Sequence, residues 1–132
     1  MPDKPPTAQE IMEASETAQT QLEGQEAALE AEIDKIDAHP PPLSAADKQL
    51  RADLRNAQTK CRAAMTELAY VTAEALDNSA EVQRLSQSIK KLNGELKDSL
   101  DRVKHLASIA ATAAQVIGVV ATVATKLAAY AA

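Results

Sequence analysis

The stretch SIAATAAQVIGVVATVATKLAAYAA, Ser108 to Ala132, decides how this chain is read. It holds one charge, Lys126, and no acid. From Leu106 to Thr125 no residue is charged, which reaches the roughly 20-residue length of a transmembrane helix. The segment is not apolar all round, however. Ser108, Thr112, Gln115, Thr122 and Lys126 recur at steps of three, four or seven and form one polar stripe. Ile109, Val116, Ile117, Val120, Val123 and Leu127 lie away from it and form a wide apolar face. Such a helix fits a place almost buried in a bundle. It equally fits an oligomeric membrane assembly whose polar stripe lines water. Ala110, Ala114, Gly118 and Thr122 add small residues at four-residue spacing, a row that lets helix backbones approach closely.

The rest of the 132-residue chain reads as helix. It has no Trp or Phe, only Tyr70 and Tyr130, and glycine only at 24, 94 and 118. Long Ala-, Glu-, Leu- and Lys-rich stretches with few breakers mark helical bundles and coiled coils. No alternating β-branched run suggests a strand. The expected fold is therefore all-α: an antiparallel hairpin plus a long C-terminal helix, in a coiled-coil-like three-helix bundle.

Residues 1–6 read as a flexible lead and 7–132 as one helical domain. Thr7 and Glu10 form a capping box opening a helix over about 7–38, closed by Pro40-Pro41-Pro42. Ser44 with Asp47 opens a second helix, about 44–77, and the short loop implies an antiparallel hairpin. The first helix carries nine acids against Lys35, whereas residues 47–62 and the segment from Ser79 onward are net basic. An acidic helix lying on two basic ones follows.

Taking Leu54 as position a, apolar a and d residues run in one heptad phase to Leu127, interrupted mainly by Asn78 and Ser99. Asp77-Asn78-Ser79 is read as a turn, giving a third helix over about 79–130, with a possible kink at Gly94. Its last turns overhang a simple bundle.

No catalytic, cofactor or metal motif is present: neither GxxxxGK[ST], HExxH nor GxSxG. His39 reads as a solvated loop residue, Asp101 and His105 as a helix-surface pair, and Cys61 as a small core residue. A net charge of −5 and the lack of aromatic stacking residues argue against nucleic acid. No apolar region follows the N-terminus, so no cleavable signal peptide is expected, and a cytoplasmic place is, with possible membrane association through the C-terminus.

Three function classes follow. The first is a non-enzymatic helical assembly protein whose C-terminal helix packs in the bundle, forms a homo-oligomer or docks on a protein partner. The second is a membrane-active protein, tail-anchored or a pore-forming-type component, inserting residues 106–130. The third is a small chaperone or an immunity or inhibitor protein. No cofactor is implied.

Overall fold

A computed structural model describes residues 4–131. The first three residues of the expected lead lie outside this range, and Lys4–Pro6 precede the first helix without regular structure. The described residues form helices and connections with no strand: α1 (Ala8–Asp37), α2 (Ala45–Leu68), α3 (Ala73–Leu76), α4 (Ser79–Asp101) and α5 (Ala107–Ala131). The all-α helical bundle read from the sequence is what the chain forms.

The caps stand where the sequence puts them. Thr7 Oγ accepts from the Glu10 amide at 3.1 Å and Ser44 Oγ from the Asp47 amide at 3.1 Å. Asn78 Oδ1 accepts from the Glu81 amide at 3.2 Å, opening α4 at the expected turn. Each side chain satisfies an amide that the first helical turn leaves without a partner. The second helix ends earlier than the expected 77. It stops at Leu68, and Thr72 then caps the single-turn α3, whose Leu76 is buried across the end of the bundle.

The larger departure is in the last third. The helix expected over 79–130 is two helices, joined by a turn over residues 102–106, and Gly94 lies inside α4. No proline or glycine marks this turn. Burial accounts for it. A continuous helix would carry Ile109, Val116, Val120, Val123 and Leu127 past the end of the bundle into water, whereas folding back buries all five completely. Burying one aliphatic side chain is worth roughly 1.5–3 kcal/mol, so the gain far exceeds the cost of breaking one helix. Val103 is itself fully buried and anchors the turn.

The result is a four-helix arrangement in ring order α1, α2, α4, α5, with every neighbouring pair antiparallel. α5 packs on both α4 and α1, and α2 on both α1 and α4. The acidic α1 thus lies beside basic α2 as expected, but α4 stands diagonally opposite, not alongside. Three ion pairs cross the α1–α2 seam: Arg51–Asp37 at 2.7 Å, Arg55–Glu30 at 3.2 Å and Arg62–Glu26 at 2.7 Å. One column of buried residues fills the centre, with Leu22, Leu29, Leu54, Leu85, Ile89, Leu96 and Val120 fully enclosed.

Candidate docking surface on the terminal helix

α5 has two unlike sides. On the inner side Ile109, Val116, Val120, Val123 and Leu127 are fully buried, while Ile117, placed in the same face by sequence, is only half-buried. The heptad phase explains the difference. It holds through Val103, but in α5 Ile109, Val116 and Val123, one residue before each a position, are fully buried while Ala110 is exposed and Ile117 half-buried; Val120 and Leu127 keep their d places and Ala124 stays buried. The turn resets the rotation of the helix, a change the heptad count misses although the polar stripe of α5 marks it.

The polar stripe divides. Ser108 Oγ donates to Glu32 at 2.7 Å, Thr112 Oγ donates to Gln25 Oε1, and Lys126 stands 4.0 Å from Glu10. These three residues form the α1–α5 seam. The bond from Ser108, with Lys35 second, holds the Glu32 carboxyl below its ordinary range. Gln115 and Thr122 remain exposed, the Thr122 hydroxyl donating to the Gly118 carbonyl of its own helix at 2.9 Å.

The outer side of α5 is the exception on this surface. Its exposed residues are Ala, Ser, Thr, Gln and Gly without a single charge. The exposed residues of α4, by contrast, include Arg84, Lys90, Lys91, Lys97, Asp98 and Asp101. Between the two helices run two clefts of about 440 and 430 Å³. Ala110, Ala114 and Gly118 line the first, Ala121, Thr125 and Ala128 the second. Lys97 and Lys104 border the first and Lys90 the second, so lysines at seven-residue spacing follow the α4 side.

Two polar side chains that sequence reasoning passed over fasten α4 to α5. Ser86 Oγ donates to the Ala124 carbonyl at 2.8 Å and Asn93 Nδ2 to the Ile117 carbonyl at 3.1 Å. Both are buried, and Asn93 Oδ1 has no partner. The signal for them was present: Ser86 and Asn93 lie seven apart beside the a column, on the flank that a packed helix would cover.

The other chemistry-bearing residues are accounted for by packing. Among the described residues no group of three or more His, Cys, Asp or Glu side chains is placed to hold a metal. His39 is exposed and its Nδ1 lies 3.0 Å from Asp47 Oδ2, so it is tied to the start of α2 rather than free in solvent. Asp101 and His105 do not share a helix face, because α4 ends at Asp101. That carboxylate meets Lys97 at 3.4 Å and Lys104 at 3.6 Å instead. Cys61 is fully buried, and burial, reinforced by the nearby Glu26 charge, pushes its thiol up to about 12. A thiol so placed is protonated at neutral pH and is not a nucleophile. Arg51 holds Asp37 below its ordinary carboxylate range by hydrogen bonding, and Arg84 does the same for Glu81. A scan against protein-family models gave no match, and searches of curated proteins and of solved structures gave none either.

Proposed function

We propose that this protein is a non-enzymatic helical assembly module in which the inner side of α5 completes the core and its outer side docks against another protein. One observation carries the reading: α5 is the long helix whose exposed residues are wholly uncharged, and they adjoin a cleft bordered by lysines. A solvated helix face ordinarily carries charge, and a contiguous uncharged one marks a contact surface. The residues are small rather than bulky, which suits close packing against a helix more than deep insertion into lipid. Charged substitutions test it. Ala114→Glu and Ala121→Glu are both exposed. They are expected to leave the helical circular dichroism and melting midpoint within a few degrees of the parent, and to abolish association seen by light scattering. Variants that associate as the parent does would remove the outer face from the account.

A second reading has its own support. α5 is 25 residues long with mean hydropathy 1.8 over its most apolar window, so its length and composition suffice to cross a bilayer. In that case the bundle opens and the side now buried against α1 and α4 faces lipid. Vesicle flotation separates the two. Protein that stays with the soluble fraction supports docking, and protein that floats with vesicles supports insertion.

A further inference from the structure

The three glycines of the chain, Gly24, Gly94 and Gly118, all lie inside helices and are all exposed. A Cβ built on any of them meets nothing within 4 Å, so packing within the chain asks for no glycine at these places. A helix interior nevertheless loses stability by carrying one. They also share a height. Gly24 adjoins Gln25, which bonds Thr112, while Gly94 adjoins Asn93, which bonds Ile117, next to Gly118. At 1.5 Å per residue the three fall within about 9 Å along the bundle axis, on the three successive helices α1, α5 and α4. Glycine at such a spot leaves room for close approach of an outside backbone.

We infer that the outer face of α5 is the contact between two copies of this chain, in a parallel two-fold dimer whose α5 helices cross at Gly118. The inference rests on the docking reading above and names its occupant. Charge selects the arrangement. α5 is flanked on the α4 side by Lys90, Lys97 and Lys104, with Asp101 between the last two, and on the other side by α1, the acidic helix. A two-fold axis along the helices sets the lysine border of one copy against α1 of the other. Lys90 then falls near the height of Glu16. A two-fold axis across the helices sets lysine against lysine, and like charges in apposition are repulsive. The parallel arrangement also brings Gly94 of each copy toward Gly24 of the other.

Single-cysteine variants of the full chain test both the dimer and its direction. Cys61 is buried, so an introduced surface thiol is the reactive one. With Ala114→Cys or Thr122→Cys, each one turn from Gly118, mild oxidation is expected to link each variant to itself. An antiparallel pair gives links only when the two variants are mixed, and that result would overturn the proposal. By sedimentation, the parent is expected at twice the 14.0 kDa chain mass. Gly118→Leu is expected at the monomer mass with its helical content kept, and Lys90→Glu with Lys97→Glu is expected to weaken the dimer at least tenfold. A parent that sediments as a monomer overturns the dimer. Vesicle flotation, which judges the docking reading, is a separate measurement, so the two failures are distinguishable.

Discussion

Single polar residues fix how the helices register. An all-aliphatic core of Leu, Ile, Val and Ala permits slippage by a turn, whereas a buried hydrogen bond has one partner. Ser15 Oγ donates to the Leu68 carbonyl across α1–α2, Asn56 Nδ2 to Ser99 Oγ across α2–α4, Asn93 to Ile117 across α4–α5, and Thr112 to Gln25 across α1–α5. Gln25 shows what such a device costs, since it is fully buried and its Nε2 has no partner. An unsatisfied buried donor costs about 1–3 kcal/mol, and replacing both members of a pair by apolar groups of similar shape removes that penalty. The double variant Gln25→Met with Thr112→Val is therefore expected to be neutral or up to about 1 kcal/mol more stable by urea unfolding. A loss above that size would show the pair to be net stabilising. Cys61 sets a pH dependence. Its folded-state thiol is raised to about 12 from an ordinary value of 9.0, so the folded chain holds the proton that the unfolded chain releases. The stability this provides is complete below about pH 9 and falls as pH rises toward 12, with a limiting slope of about 1.4 kcal/mol per pH unit. Comparison with Cys61→Ala isolates the effect: the variant is expected to lose less stability than the parent between pH 8 and 10.5, and parallel curves would contradict the assignment.

At the scale of elements, α5 contributes through its inner side. Leu127→Ala leaves a void among fully buried neighbours and is expected to cost about 2–5 kcal/mol, whereas Ala121→Ser, on the exposed side, is expected within about 0.5 kcal/mol of the parent. Equal effects in chemical denaturation would mean that α5 does not pack as described. The α1–α2 seam behaves differently. Arg51, Arg55 and Arg62 are all at least partly exposed, so changing any one to Gln is expected to lower stability by less than about 1 kcal/mol, and by less still at high salt. The helices themselves were legible in sequence because their signals are local: Thr7, Ser44 and Asn78 cap where expected, and Pro40–Pro42 ends α1. The turn at 102–106 was not, because Arg102-Val103-Lys104-His105 is as helix-compatible as what surrounds it and only burial against distant helices selects a break. The apolar face of α5 was legible residue by residue except for Ile117, which the rotation at that turn moves aside.

For the whole molecule, the fold-back turns an unsupported 79–130 helix into the fourth wall of a bundle, and that wall makes the rest possible. Without it α1 and α4, which do not pack on each other, share no common partner beyond α2 and the short α3. The same placement gives α5 its double character, with aliphatic residues inward and small uncharged ones outward. Truncation tests this most directly. A chain ending at Leu106 lacks Ile109, Val116, Val120, Val123 and Leu127, each fully buried, and at roughly 1.5–3 kcal/mol apiece their loss is as large as the whole stability of an ordinary domain, about 5–15 kcal/mol. Thermal unfolding followed by circular dichroism is expected to show no cooperative transition for the truncated chain. A truncated chain that melts cooperatively near the midpoint of the full one would contradict the account, placing α5 outside the fold as an appendage.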